Sequence, residues 1–244
     1  MKFGLCAIIV LLPFVVNAQT IDSLSLQKEL VTPQQTENKA GNISTKPGYL
    51  GWKKITLPAA MVVYGLLSLE IEALKNADLE VQEKILKKND NFHTTIDNYL
   101  QFAPAASVYL LNVSGVKGKN NFKDRTIILG MSTLLMAGTV FSLKKITHRL
   151  RPDGSDYNSF PSGHTANAFV GSEFMAQEFR SYSPWLRFSG YAMSTATGVL
   201  RMYNNKHWLS DVIAGAGIGI LSTKFSYWLF EKMKKKPNAV VISL

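Results

Sequence analysis

Long polar stretches alternate with concentrated apolar segments along this chain. The polar stretches cover residues 20–50 and 73–96, and the length and pattern of the apolar segments predict helices. The segments are Ile55–Leu69, Asn98–Val116, Thr126–Leu143, a shorter stretch after His164, Phe188–Leu200, and Val212–Thr223 continuing through Phe230. Thr126–Leu143 carries no charge and approaches the ~20 residues of a membrane span. The pattern predicts an all-α, membrane-embedded helical bundle.

Small residues recur at every fourth position in the last two segments. They are Gly190, Ser194 and Gly198 in one segment, and Gly215 and Gly219 in the other. Such spacing lets helix backbones approach closely inside a bilayer. The alternative is ordinary helix packing in a soluble bundle.

Residues 1–18 have the features of a secretory signal peptide. Lys2 stands near the start, an apolar run extends from Leu5 to Val16, and small residues at 16–18 form a cleavage site. The run is shorter than the ~20 residues of a span, so an uncleaved membrane anchor is the less favoured alternative. In both cases the following residue is expected outside the cytoplasm.

The rest of the chain is expected to form one domain, because 244 residues fit one core comfortably. The predicted organisation is a signal peptide at 1–18, a flexible polar leader at 19–50, a helical-bundle domain at 51–236 and a tail at 237–244. Cys6, the only cysteine, lies in the signal. The mature chain therefore has no disulfide, thiol nucleophile or cysteine metal ligand.

The formal net charge of +10 fits three kinds of partner: nucleic acid, acidic lipid headgroups or phosphorylated substrates. Basic residues concentrate in three connections, namely Lys117–Arg125, the turn around Arg180 and Arg187, and Lys232–Lys236. Cytoplasmic loops are enriched in such residues. The opposite helix ends, near 144–164 and 201–211, are therefore expected in the periplasm. No nucleic-acid motif is recognisable, so nucleic-acid binding is not expected.

This orientation constrains the first apolar segment. An exported amino terminus followed by five crossings from residue 98 onward is consistent only if Ile55–Leu69 does not cross the membrane. That segment has 15 uncharged residues. We expect it to lie against the bundle or in the interface.

Three clusters of chemically capable residues lie at the expected periplasmic ends. The first is Lys144 and Arg151-Pro152, where the seven-residue spacing predicts that both cations share one helix face. The second is Ser162-Gly163-His164, directly before a helix, where a serine cap and free amides favour a phosphate oxygen. Taken alone, these clusters are equally compatible with a basic flank and a capped turn.

The third cluster contains Arg201, His207 and Asp211. His207 and Asp211 are four residues apart and are predicted to share the start of the last helix. There the carboxylate can accept a hydrogen bond from one imidazole nitrogen and leave the other as a nucleophile. A structural His–Asp pair is the alternative. His93, in a polar loop, and His148, in a basic flank, have no such setting and are expected to be solvated.

The three clusters together resemble the signature of the type 2 phosphatidic acid phosphatase superfamily. The match consists of Lys144-x6-Arg151-Pro152, Pro161-Ser162-Gly163-His164 and Arg201-x5-His207-x3-Asp211, within residues 95–232 and with the signature at 144–211. The family commonly has serine before the third-part arginine, where this chain has Leu200. That difference removes a possible hydrogen bond to phosphate.

The resemblance implies a core of about six helices and a phosphohistidine intermediate. His207 would attack phosphorus, His164 would protonate the leaving oxygen, and Asp211 would orient His207. The implied phosphate ligands are Lys144, Arg151, Arg201 and the amides near Ser162 and Gly163. Three fixed cations can stabilise the transferred phosphoryl group in place of Mg²⁺, so no metal or other cofactor is expected.

The expected protein is a lipid phosphatase of the bacterial inner membrane with its active site facing the periplasm. The substrates compatible with the clusters are undecaprenyl pyrophosphate, lipid A, phosphatidate and phosphatidylglycerophosphate. An exported site slightly favours the first two. Two alternatives remain: a soluble-type acid phosphatase or vanadate-dependent haloperoxidase, and an inactive lipid-binding protein. The sequence makes no prediction of the oligomeric state.

Overall fold

Helices make up the secondary structure of the part of the chain that a computed structural model describes, residues 52–88 and 92–234. The eight helices are α1 Trp52–Leu67, α2 Glu72–Lys88, α3 Ile96–Leu100, α4 Ala103–Val113, α5 Phe122–Thr147, α6 Gly163–Glu178, α7 Pro184–Tyr203 and α8 Leu209–Lys234. The predicted all-α class is confirmed for these residues. The predicted signal peptide, leader and tail lie outside them.

Each predicted apolar segment forms helix, with two departures. Asn98–Val116 is divided into α3 and α4, because Pro104 lies in the first turn of α4, where a proline begins a helix but does not continue one. The second departure is an additional helix, α2, which lies almost entirely in the polar stretch 73–96, where no apolar segment is present. Its first turn carries Glu72 and its last turn Lys87 and Lys88, and both charges complement the helix dipole.

The central helix of the bundle is α6. It is buried along most of its length and packs against α4, α5, α7 and α8. α1 packs along α8 and so lies against the bundle. The expectation that this segment does not cross the membrane stays a prediction. Six helices therefore pack side by side, while α2 and α3 contact the carboxyl end of α7 and α2 also contacts α8.

Small residues bring α7 and α8 close to α6, as predicted. A side chain at Gly215 would place its Cβ 2.6 Å from the carbonyl oxygen of Ser162. Ser194 in α7 donates a 2.7 Å hydrogen bond to the carbonyl oxygen of Ala168 in α6. The start of α6 is thereby fixed against the start of α8.

Two helices of the described residues are long and apolar enough to cross a membrane unaided, namely α5 and α8. The bent pair of α1 and α2, with an angle of 94° between its helices, provides a third candidate if both form one broken span. Of the five crossings expected from residue 98 onward, α4 is the clearest departure, because its 11 residues span about 17 Å.

The bundle has two chemically different ends. Its site end contains the carboxyl ends of α5 and α7 and the amino ends of α6 and α8. Its basic end contains the opposite ends of these helices, where Lys119 Nζ lies 2.6 Å from Glu231 Oε1 and Lys119 N donates to Glu178 O. The signature residues lie at the site end, and the basic connections lie at the basic end.

Candidate active site

His207 lies in the connection between α7 and α8, and Asp211 lies in the first turn of α8. The histidine therefore precedes the helix instead of occupying its start, as the spacing had predicted. Its Nδ1 lies 3.6 Å from Oδ2 of Asp211. That distance exceeds a hydrogen bond, and Nδ1 is buried without a partner among the described residues. Catalytic hydrogen bonds in ligand-free sites are often long and tighten when substrate binds.

The fully buried carboxylate of Asp211 is held from three directions. Oδ2 accepts a 2.9 Å hydrogen bond from the backbone N–H of Trp208, the reciprocal half of a helix capping box. Oδ2 also accepts from the hydroxyl of Ser159 at 2.5 Å, and Oδ1 accepts from Nη1 of Arg149 at 2.7 Å. Asp211 is therefore fixed before any substrate arrives.

Arg149 is a site residue that was not singled out in the sequence. Its Nη2 donates at 2.7 Å to Oδ2 of Asp78, so one guanidinium joins a carboxylate of α2 to a carboxylate of α8. Asp78 also accepts from the backbone N–H of Ser210 at 2.9 Å and from its hydroxyl at 2.5 Å. We call Asp78, Arg149, Ser210 and Asp211 the buried charge network.

Lys144 and Arg151 are held by one loop and do not share a helix face. α5 ends at Thr147, and His148 adopts a left-handed φ of 42°, which turns the chain out of the helix before Arg151. Nζ of Lys144 donates to the carbonyl oxygen of Asn158. Nε of Arg151 donates at 2.9 Å to Oδ1 of Asp156, two residues earlier in the same loop. The loop thus replaces the helix as the element that positions both cations.

Arg201 is buried in the last turn of α7 and is held by a residue that sequence reasoning missed. Its Nη1 donates at 2.7 Å to Oδ2 of Asp97 in α3. Nδ2 of Asn204 donates at 3.1 Å to the other oxygen of Asp97. The Nε of Arg201 is buried with no partner among the described residues.

The start of α6 differs from the prediction at Ser162. Its backbone N–H donates at 3.0 Å to the carbonyl oxygen of Asp211, so this amide is already occupied. Its side chain caps the helix at the N–H of Thr165, as predicted. The amides of Gly163 and His164 are the first two of the helix and have no intrahelical acceptor. A Cβ at Gly163 would contact only Val140, at 3.8 Å.

His164 lies in the first turn of α6 and contacts α3. Its Nε2 lies 2.9 Å from Oδ1 of Asn98, so a protonated Nε2 donates to that oxygen. Asn98 was not singled out in the sequence. Two consecutive residues of α3 therefore contact site residues: Asp97 binds Arg201, and Asn98 contacts His164.

Burial lowers the pKa of His207, which lies outside the candidate spans, to about 4. The carboxylate of Asp211 acts in the opposite direction and raises this pKa, while the cations Lys144 and Arg201 lower it further. The imidazole is therefore neutral at pH 7, the form in which its nitrogen is a nucleophile.

Burial also lowers the pKa of His164 to about 4. Arg201, Arg151 and Lys144 act in the same direction, and Asp97 opposes them. Lys144 and Arg201 influence both imidazoles, so the four side chains lie within electrostatic range of one another. The signature residues of all three clusters thus lie at one end of the bundle, where Arg201, His207 and Asp211 are buried and Lys144, Arg151 and His164 are partly exposed.

The next feature is the set of side chains that could bind a metal ion. Among residues 52–88 and 92–234, no group of three or more His, Cys, Asp or Glu side chains is arranged to hold a metal ion. The site residues suit an anion: three cations, two helix-start amides and two neutral imidazoles.

The site coincides with a match to a known family. The model of the PAP2 superfamily matches residues 125–235, which include all three clusters. The lipid A 1-phosphatase of Porphyromonas gingivalis is 38% identical over 166 residues, covering 67% of this chain and 37% of that protein. Phosphatidylglycerophosphatase B of Bacillus subtilis is 28% identical over 146 residues, covering 53% of this chain and 72% of that protein.

A solved structure shows the same fold. The crystal structure of a transmembrane PAP2-type phosphatidylglycerolphosphate phosphatase from Bacillus subtilis superposes with a TM-score of 0.50 at 22% identity, covering 74% of this chain and 99% of that one. Together with α5 and α8, this fold indicates a membrane protein. The resemblance found in the sequence is confirmed, and the chain belongs to the PAP2 superfamily through residues 125–235.

Proposed function

We propose that this chain is a metal-independent phosphatase that removes a phosphate group from a membrane lipid through a phosphohistidine. One observation carries the proposal. His207, neutral and buried, lies next to a rigidly held Asp211 and within range of cations that also act on a second neutral histidine, His164.

In the first step, Nε2 of His207 attacks phosphorus while the bond between phosphorus and the lipid oxygen breaks. Asp211 faces Nδ1 at 3.6 Å and stabilises the positive charge that develops on the imidazole. Arg201 supports the phosphoryl oxygens through its unpartnered Nε, and Lys144 and Arg151 provide two further positive charges. Positioning and charge stabilisation are the main requirements of phosphoryl transfer.

His164 gives its proton to the leaving lipid oxygen. Its lowered pKa means that the free protein holds this imidazole neutral at pH 7. A bound phosphate group offsets the surrounding cations and raises that pKa, because an anion favours the charged imidazolium. Phosphate monoesters also titrate near pH 6, so the substrate itself can bring the proton.

In the second step, water attacks the phosphohistidine. His164, now neutral, accepts a proton from that water as the bond between phosphorus and nitrogen breaks. Inorganic phosphate leaves, and the neutral imidazole of His207 is restored. The amides of Gly163 and His164 bind phosphoryl oxygens in both steps.

A cavity next to the buried charge network suits an acyl chain. It has a volume of about 600 Å³ and extends between α1, α2 and the end of α5. Its lining includes Leu66, Leu79, Leu143, Ile146 and Trp208, with Arg149 on one side. A mainly apolar cavity beside a polar site is the usual form of a ligand pocket.

We propose a phosphate monoester of a large membrane lipid as the substrate, with lipid A 1-phosphate as the first candidate. The Porphyromonas gingivalis relative that carries this activity in its name is 38% identical over the aligned residues. The proposed location is the bacterial inner membrane with the site facing the periplasm, because the basic connections gather at the opposite end.

The test is phosphate release by the purified chain from lipid A 1-phosphate, phosphatidate, phosphatidylglycerophosphate and undecaprenyl pyrophosphate in uncharged detergent. We expect release from at least one lipid, unchanged by EDTA and abolished in His207→Ala. Wild-type turnover in His207→Ala would refute the assigned nucleophile. Binding of these lipids without hydrolysis would favour the inactive lipid-binding alternative. Activity recovered in the aqueous periplasmic fraction without detergent would favour a soluble acid phosphatase.

A further inference from the structure

A second cavity lies on the side of the bundle away from the candidate active site, towards its basic end. It has a volume of about 360 Å³ and is bordered by α1, α6, α7, α8 and the turn before α7. Its charged lining consists of four cations and one carboxylate, namely Lys54, Arg180, Arg187, Lys224 and Glu173.

The single carboxylate, that of Glu173, already accepts three hydrogen bonds within the protein. Oε1 of Glu173 accepts hydrogen bonds from Lys224 at 2.7 Å and from Gln177 at 2.6 Å. Oε2 accepts from the hydroxyl of Tyr191. Glu173 therefore neutralises Lys224 and has little capacity left for the other cations of the cavity.

Three cations of this cavity have no anionic partner. Lys54, Arg180 and Arg187 make no ion pair and no side-chain hydrogen bond with any residue in 52–88 or 92–234. The Nε of Arg187 is also buried from solvent. Lys54 and Arg180 are exposed, so the cost of burying a charged donor without a partner applies to the Nε of Arg187, and a polar ligand in this cavity would remove that cost.

We propose that this cavity binds a phosphate-bearing anion. Arg180 and Arg187 line the same cavity, and the planar guanidinium group binds phosphate oxygens by paired, charge-assisted hydrogen bonds. The setting favours a lipid headgroup as the source. Trp185 and Phe188 stand exposed at the start of α7, beside these arginines, and aromatic residues of this kind mark the membrane interface.

The cavity is distinct from the candidate active site. Arg187 precedes Arg201 by 14 residues in α7, which corresponds to about 21 Å along the helix axis. None of the residues in the buried charge network lines this cavity. The binding proposed here therefore does not depend on the proposed catalytic function.

The experiment measures thermal unfolding of the purified full chain in uncharged detergent during titration with short-chain phosphatidylglycerol. Parallel titrations use short-chain phosphatidylcholine and inorganic phosphate. We expect the phosphatidylglycerol to raise the midpoint of unfolding, and phosphatidylcholine, whose phosphate is balanced by its own choline cation, to raise it much less. An equal response to inorganic phosphate would support the site with free phosphate as the source.

Matched variants locate the response. Arg187→Gln should weaken the apparent affinity for phosphatidylglycerol about tenfold, and Lys54→Gln, at an exposed position that tolerates substitution, about threefold. Lys123→Gln removes an exposed charge at the same end, outside the cavity, and should retain the response. So should Arg201→Gln, which alters the candidate active site. A wild-type response in Arg187→Gln and Lys54→Gln, a loss only in Arg201→Gln, or an equal response to phosphatidylcholine would overturn the proposal.

Discussion

The two ends of the bundle place their charges in opposite ways. At the site end, Asp97 and Asp211 each hold an arginine, and the imidazole of His207 is left without a hydrogen bond. Towards the basic end, Glu173 and Glu178 accept their hydrogen bonds from hydroxyl, amide and ammonium donors, and Nε of Arg125 lies 3.9 Å from Oε2 of Glu178. Arg187 makes no ion pair among the described residues, and its Nε is buried without a partner.

The two ends therefore differ in whether carboxylates of the protein already hold the arginine side chains in place. Arginines held by carboxylates keep a fixed geometry and still present free donors, as a site that stabilises a transition state requires. Unpaired arginines in a cavity gain partners only when a ligand arrives. The proposed catalysis therefore uses cations that carboxylates hold in place, and the proposed lipid binding uses cations that have no partner.

The largest expected effect follows from removing the unpaired imidazole at the site end. His207→Ala should lower kcat for lipid phosphate hydrolysis by about 10³-fold or more, because no other group replaces the nucleophile. His93→Ala is the matched control, since His93 is exposed, and it should keep wild-type kcat. Comparable losses in both variants would show a general effect of histidine removal and not a catalytic role.

The next effect comes from breaking the buried charge network at α2. Asp78→Asn should lower the free energy of unfolding by about 3 kcal/mol, because one partner of a buried ion pair is neutralised. It should also lower kcat about tenfold with little change in KM, since Arg149 would orient Asp211 less strictly. Glu80→Gln, on the exposed face of the same helix, is the control. A variant with normal kcat but lower stability would make Asp78 purely structural.

A smaller effect should appear in the pH profile. The proposed mechanism uses His207 in its neutral form, and its pKa of about 4 places the expected acid limb of kcat/KM near pH 4. The cation of Lys144 helps to lower that pKa. Lys144→Gln removes this cation, so the pKa should rise and the acid limb should move towards higher pH. Movement towards lower pH in this variant would contradict the electrostatic account of the site.

The smallest effect concerns the residue before Arg201. Leu200→Ser restores the hydroxyl common in the family and adds one possible hydrogen bond to phosphate. We expect KM to fall about threefold and kcat to stay within twofold, consistent with one additional weak hydrogen bond. A large gain in kcat would mean that Leu200 limits catalysis in the native chain.

The residues proposed to bind and react with phosphate could be selected from the sequence because they lie within three short stretches. Lys144, Arg151, His164, Arg201 and His207 were all identified from type and spacing. The turn at His148 was not, so the loop that holds Lys144 and Arg151 replaced the predicted shared helix face.

The carboxylates that bind the arginines of the candidate site could not be identified from short stretches of sequence. Asp78 contacts Arg149 across 71 positions and Asp97 contacts Arg201 across 104, and neither carboxylate stands in a recognisable pattern. Asp78 lies among charged residues of a polar stretch, and nothing in the neighbouring sequence indicates that its side chain is buried. The one available clue was Arg149 itself, a second arginine two residues before Arg151 in the basic flank.

The most direct test of the central claim is to trap the covalent intermediate. The wild-type chain is mixed with a hydrolysable lipid phosphate carrying a labelled phosphorus, quenched rapidly in alkali, which preserves phosphohistidine, and analysed by peptide mass spectrometry. The account predicts the label on His207 in the wild type and no label in His207→Ala. Turnover with the label on another residue, or with His164 as the labelled residue, would contradict it.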